Sequence, residues 1–157
     1  MLLDEIRKDI EPEMMPLFDK AVEIATKAHE GQTDKSGKPY IGHVMRVSLG
    51  CKTQKSKVIA LLHDVIEDTP ITPDELKAEG IPADIVEAVL TLSRRQGEPY
   101  EQYVSRVAPH PLCREVKIAD LEDNMDIRRL TEIGESDVIR LKKYHKAWKT
   151  LTSNISS

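Results

Sequence analysis

The chain has 157 residues, of which 39% are hydrophobic and 32% charged, and a net charge of −4. That length predicts one domain with a core that needs no staples, and the mild acidity, with no basic arm or face, argues against nucleic acid as a bulk partner. Cys51 and Cys113 form no CxxC pair, no stretch approaches a membrane span, and the acidic start MLLDEIRKDI lacks the apolar run of a signal peptide, so a cytoplasmic protein with reduced thiols is expected.

Strand signals are nearly absent, with 4% aromatic residues and no sustained alternation, whereas helix signals are dense. Pro16 to Glu30 carries Leu17, Ala21, Ile24, Ala25 and Ala28 on one face, and Gly31 stops it. GQTDKSGKPY, Gly31 to Tyr40, is a polar loop punctuated by Gly37 and Pro39. A helix follows to Cys51, and a central one from Gln54 to Asp68 ends near Thr69-Pro70. Thr72-Pro73-Asp74-Glu75 is a capping box with proline in the first turn, and Gly80 closes that short helix. Pro82 opens a helix with Ile85, Val86, Val89 and Leu92 as its buried stripe.

A second polar loop, Ser93 to Tyr100, precedes a short helix over Tyr100 to Val107. Leu112 to Arg129 reads as one long helix, Thr131 to Glu135 as a turn, and Ser136 as the N-cap of a last helix to Leu151 with a fraying tail. The expectation is an all-α bundle of seven to nine helices. The Leu/Met-rich start, Met1 to Met15, either folds back on the chain or packs on a second copy in a homo-oligomer.

The stretch Ala60 to Asp68, ALLHDVIED, stands out. On a helix at about 100° per residue, Leu61, Leu62, Val65 and Ile66 share one side, while His63, Asp64, Glu67 and Asp68 share the other with no Lys or Arg among them. Asp64 stands one turn from Asp68, where soluble helices place opposite charges. A solvated acidic face is the ordinary alternative, but the His-Asp pair and its echo one turn on favour a divalent metal.

One such pair cannot close a site, which needs three or four protein ligands. His43, at a helix start after the Gly/Pro loop, is the histidine of choice. His29 could equally cap its helix, His145 sits among Lys142, Lys143 and Lys146, and His110 reads as surface. Asp120 in KIADLEDNMD is the distant carboxylate: an Asp beside Ile118-Ala119 is costly to bury unpaired, although pairing with Lys117 or Arg128 would also account for it. Glu122, Asp123 and Asp126 read as solvated.

AHEGQTDKSGKPYIGH, ALLHDVIEDT and KIADLEDNM, in this order, resemble the HD-domain metal-dependent phosphohydrolases. The resemblance is nearest to the hydrolase domain of the RelA/SpoT guanosine tetraphosphate enzymes and its small single-domain relatives. It covers Pro16 to Leu151, with motifs from 28 to 124 and a last helix over 136–151, and makes 1–157 a single HD-type domain. It implies an all-α fold and one metal, usually Mn²⁺, held by His43, His63, Asp64 and Asp120. It further implies Glu67 and Asp68 as the acidic pair that positions or activates the attacking water, Asn124 near metal and substrate, and Lys35 on the nucleotide. The chain departs from the family at Asp34, often basic there; at Val44, usually Pro; and at Leu121 and Asp123, usually Arg and His.

The expected chemistry is attack by a metal-activated water on a phosphorylated or pyrophosphorylated nucleotide. Glu67 or Asp68 manages the proton, and Lys35 with Arg94 and Arg95 clamps the outer phosphates. Arg94 and Arg95 equally suit a helix C-terminus, and Tyr40 suits the core better than a base. A guanosine 3′,5′-bis(diphosphate) 3′-pyrophosphohydrolase is the first expectation. The alternatives are hydrolysis of another nucleotide, or a nucleotide-binding regulatory module with little activity.

Overall fold

The computed structural model describes residues 1–153. In chain order the helices are α1 (Leu2–Arg7), α2 (Met15–Ala28), α3 (Ile41–Gly50), α4 (Gln54–Leu62), α5 (Val65–Asp68), α6 (Pro73–Ala78), α7 (Ala83–Thr91), α8 (Tyr100–Val107), α9 (Pro111–Asn124) and α10 (Glu135–Ser153), with a 3₁₀ turn at Ile127–Arg129. The fold is all-α. Among the described residues a lone antiparallel bridge, Thr33 to Pro39, is the one strand-like feature.

Local chemistry sets the boundaries. Thr53 accepts the Ser56 N–H while the Ser56 side chain returns to the Thr53 N–H, a capping box that starts α4. Thr72 caps α6 through the Glu75 N–H, with Pro73 in the first turn. Gly31, at φ 82°, turns the chain out of α2 in a conformation that a Cβ disfavours.

α4 is the hub. Seven of its nine residues are buried, so it is covered all round rather than on one stripe; it packs against α2, α3, α7 and α9. Its one charged buried residue, Lys57, drives Nζ into the end of α3 and donates to the carbonyls of Ser48 (3.4 Å), Leu49 (3.3 Å) and Cys51 (2.6 Å). These are carbonyls that a helix C-terminus leaves unpaired, at the negative end of its dipole. Lys57→Met is therefore expected to cost about 2–3 kcal/mol, the range of a hydrogen bond to a charged group plus orphaned carbonyls. A urea titration checks it, and an unchanged midpoint would contradict the role.

Three expectations are corrected. The central helix does not run unbroken from Gln54 to Asp68: it stops at Leu62 and restarts at Val65. The Ala60 carbonyl, which an intact helix would give to the Asp64 N–H, instead accepts from His63, through both its backbone N–H and its ring Nδ1. The helix after Pro111 ends at Asn124, and the Asp126 side chain accepts the Arg128 N–H to start the separate 3₁₀ turn. α10 begins at Glu135, so Ser136 is inside the helix; the reciprocal cap comes from Asp137, whose carboxylate accepts the Gly134 N–H at 2.8 Å. Among the described residues there are nine longer helices, within the expected range, and the single four-residue turn α5. The last helix continues past the expected end at Leu151 to Ser153; of the expected fraying tail SNISS, Ser153 is thus helical, and residues 154–157 lie outside the described residues.

The start folds back on its own chain. Ile6 and Ile10 are buried in the common core, and α1 packs on α3.

Candidate metal centre

Two helix ends and one helix break converge on a single point. His43 enters from the first turn of α3, Asp120 from the last turn of α9, and His63 and Asp64 form the break between α4 and α5. One ligand atom from each of these four residues lies within 4.8 Å of the other three. Both histidines and Asp120 are buried, and Asp64 is nearly so. His43 Nε2 stands 2.9 Å from Asp120 Oδ1 and 4.0 Å from Asp64 Oδ2. His63 Nε2 stands 3.0 Å from Asp64 Oδ2 and 3.4 Å from Asp120 Oδ1.

The helix break is what makes this possible. The His63 ring donates Nδ1–H to the Ala60 carbonyl, which leaves Nε2 to face the carboxylates. That buried Nε2 has no aligned hydrogen bond. An unpartnered imidazole nitrogen facing two carboxylates is a donor set awaiting a cation, and two imidazoles with two carboxylates suit a first-row divalent ion. The residues present fit such an ion.

The electrostatics agree. Burial works against the imidazolium of His43, yet bonds to Asp120 and Asp123 outweigh it and raise its pKa to about 9. Burial opposes the charge of His63 too, but Asp64 and Asp120 push it well above its ordinary value. Burial likewise disfavours the Asp120 carboxylate, but Lys117 and both histidines hold it well below the usual range. Carboxylates that raise the imidazole pKa values also favour a metal ion, so metal and proton compete for the same lone pairs.

Neighbours fix each ligand. Asp120 Oδ2 accepts from Lys117 Nζ at 2.8 Å, and its Oδ1 accepts from Asn124 Nδ2 at 3.1 Å. Both readings of Asp120, salt bridge to Lys117 and member of the cluster, are therefore present at once. The Tyr40 hydroxyl donates to Asp64 Oδ2, and its ring lies between those of His29 and His43, at centroid distances of 5.0 and 5.2 Å. His29 caps α2 and is buried, with Nδ1 3.0 Å from Gln32 Oε1, and does not join the ligand group. His110 is exposed, as expected, and His145 is exposed as well.

Glu67 and Asp68 lie on α5 beside Asp64, and the three carboxylates again come within 4.8 Å of one another. Their settings differ. Glu67 accepts the Arg94 N–H. Asp68 has no such donor; its carboxyl is partly withdrawn from water and stands near the charges of Asp64 and Glu67, which together push its pKa up to about 6.

A cavity of about 310 Å³ opens beside His43. Lys35 and Asn124 line it, with Tyr40, Arg46, Arg140 and Tyr144. Arg94 and Arg95 do not reach this cavity; with Glu67 and Glu98 they line a separate open cleft. The α10 residues Arg140 and Tyr144 escaped sequence reasoning, although their four-residue spacing puts them on one helix face.

The four departures from the family pattern have physical explanations. Asp34 turns inward, accepting from the Ser36 N–H (2.9 Å), the Ser36 hydroxyl (2.7 Å) and the Lys38 N–H (3.0 Å), so it shapes the loop that carries Lys35. Val44 and Leu121 are fully buried in the core. Asp123, expected to be solvated, is not: its carboxylate touches His43 and two arginines.

No family model matches the chain. It is 35% identical over 116 residues to the guanosine-3′,5′-bis(diphosphate) 3′-pyrophosphohydrolase of Haemophilus influenzae, which covers 65% of this chain and 17% of that protein. It is 34% identical over 117 residues to the bifunctional (p)ppGpp synthase/hydrolase SpoT of Escherichia coli, covering 65% of this chain and 16% of that protein. A GTP pyrophosphokinase of Myxococcus xanthus is 31% identical over 144 residues, 81% of this chain and 19% of that protein. The chain thus spans less than a fifth of the length of these relatives. Among solved structures, a metazoan ortholog of SpoT described as hydrolysing ppGpp superposes with a TM-score of 0.73 at 21% identity, over 86% of this chain and 84% of the other.

Proposed function

We propose that this chain, an HD-fold domain related in sequence to the guanosine-3′,5′-bis(diphosphate) 3′-pyrophosphohydrolases, is itself a metal-dependent nucleotide pyrophosphohydrolase acting as one domain over residues 1–157. Its first substrate is guanosine 3′,5′-bis(diphosphate). The observation that carries this reading is the convergence of His43, His63, Asp64 and Asp120 on one point, with the buried His63 Nε2 unpartnered. We take the ion to be Mn²⁺ and the compartment to be the cytoplasm.

A divalent ion held there supplies positive charge to the attacked phosphoryl group and lowers the pKa of a water. The chain's own residues do the rest. Asp68, beside Asp64 but outside the four-residue ligand group, takes the proton of the attacking water; a carboxylate with pKa near 6 is well matched to that task at neutral pH. Glu67 fixes the Arg94 backbone on the open side. Lys35 and Asn124 hold phosphate oxygens from the cavity, and Arg94 and Arg95 meet the outer phosphates from the cleft beside Glu67.

The pH dependence follows from Asp68. The raised pKa means that the base form is lost as pH falls through about 6, and a cation beside it moves that limb lower, never higher. Asp68→Asn is expected to lower kcat about a hundredfold with metal retained, and to abolish the acidic limb of the pH–rate profile. An identical limb in the variant would assign the proton to another group.

Incubating the chain with Mn²⁺ and a panel of nucleotides, with separate detection of phosphate and pyrophosphate, tests the reading. Pyrophosphate from the guanosine bis(diphosphate) is expected. Phosphate from other nucleotides alone would favour a different phosphohydrolase, a reading to which the inward-turned Asp34 lends support because it removes one basic contact from the loop. Tight binding without release of either ion would favour a regulatory module.

A further inference from the structure

Asp123 belongs to none of the roles above, and its surroundings are unusual. It sits on α9 three residues beyond Asp120. Its side chain is 10% exposed. One oxygen, Oδ2, lies 2.6 Å from His43 Nδ1. Arg46 grips both oxygens, Nε to Oδ1 at 2.8 Å and Nη2 to Oδ2 at 3.2 Å. Arg129 adds a contact to Oδ2 at 3.3 Å and also donates to the Asp123 backbone carbonyl at 3.0 Å.

We propose that Asp123 is a positioning residue that sets the tautomer and orientation of His43 and so presents Nε2 as a metal ligand. A carboxylate held by two guanidinium groups is an acceptor only, so His43 Nδ1 must be the donor. With the proton fixed on Nδ1, the lone pair is left on Nε2, the nitrogen that faces Asp120 and Asp64. This is a carboxylate–histidine–metal relay, in which the outer carboxylate strengthens its histidine as a ligand. The two ligand histidines are then held differently: His63 by the neutral Ala60 carbonyl, His43 by an anion. Arg46, one turn on from His43 in the same helix, locks the outer carboxylate to the element that carries its histidine.

The inference rests on reading the four converging residues as metal ligands, and its test reads metal binding and ring protonation rather than turnover. Mn²⁺ affinity would be measured on Asp123→Ala, Asp123→Asn and, as a control, Glu122→Gln, whose carboxylate instead accepts from Trp148. Asp123→Ala is expected to bind Mn²⁺ about 10–100-fold more weakly, Asp123→Asn less so, and Glu122→Gln as the wild type. Should the alanine variant fail to fold, the near-isosteric asparagine carries the test. The second readout is ¹H–¹⁵N NMR of the imidazoles with diamagnetic Zn²⁺ bound: a strongly downfield His43 Nδ1–H is expected in the wild type, lost in Asp123→Ala, with the His63 signal unchanged.

A role confined to tying α3 to α9 would lower the melting temperature while leaving the Mn²⁺ affinity of the folded variants intact, and that result would overturn the proposal. So would a His43 Nδ1 without a proton in the metal-loaded wild type. A wild type that binds Mn²⁺ through this relay yet releases no pyrophosphate leaves the inference standing and defeats the nucleotide reading alone.

Discussion

Asp64→Ala is expected to leave the chain folded, strip it of metal, and reduce hydrolysis by about a thousandfold or more. The magnitude follows from what the ion supplies: several kcal/mol of charge stabilisation at the transition state, at about 1.4 kcal/mol per tenfold in rate. The fold should survive because Asp64 sits at the break between α4 and α5, not in a helix core, and the Tyr40 hydroxyl that it accepts is itself only half-buried and can turn to water. Elemental analysis should find about one ion per wild-type chain and almost none in the variant, with melting temperatures within a few degrees. A variant that keeps its full complement of metal would remove Asp64 from the ligand set.

Asp120→Asn should behave differently, and the contrast is informative. Asp120 serves two masters: Oδ1 faces the histidines and Oδ2 accepts from Lys117 Nζ at 2.8 Å. Both residues are buried, and the lysine otherwise has only the tyrosine faces of Tyr103 and Tyr100, at 5.2 and 5.9 Å. Neutralising the acid strands a buried ammonium, which costs about 3–5 kcal/mol, or a fall of about 10 °C in melting temperature for a chain of this size. Metal binding is lost as well. Lys117→Met added to Asp120→Asn should recover most of the stability and none of the metal, a double-mutant cycle that separates the two roles. Equal stability of Asp120→Asn and wild type would refute the coupling.

The four-residue centre was legible from sequence because its signals are local. A His-Asp pair with a carboxylate echo and no basic residue is readable within one stretch, and Asp120 stands out as an acid beside Ile118-Ala119; Lys117 and Asn124, its neighbours at helical spacing, both bond to it. A capping box placed α6 for the same reason, and Tyr100–Val107 matched residue for residue, whereas the box that starts α4 has Ser56 rather than Glu or Gln as its second member and so carries no sequence mark. What escaped depends on groups distant in sequence or on competition for one acceptor. The break at His63 and Asp64 arises because an imidazole takes a carbonyl that the helix needed, and periodicity carries no trace of that. Asp123 reads as one more acid in an acidic run; its partners His43 and Arg46 lie 80 and 77 residues away. Asp34 presents the reverse case: its carboxylate serves its own turn, a local role that the Asx-type spacing to Ser36 and Lys38 accounts for.

Pyrophosphate release from guanosine 3′,5′-bis(diphosphate), measured on chelator-stripped protein before and after Mn²⁺ is restored, tests the central claim most directly. The account predicts no release without the ion, release with it, and none with it from Asp64→Ala. Release that is indifferent to the ion, or absent when about one ion per chain is bound, would contradict it.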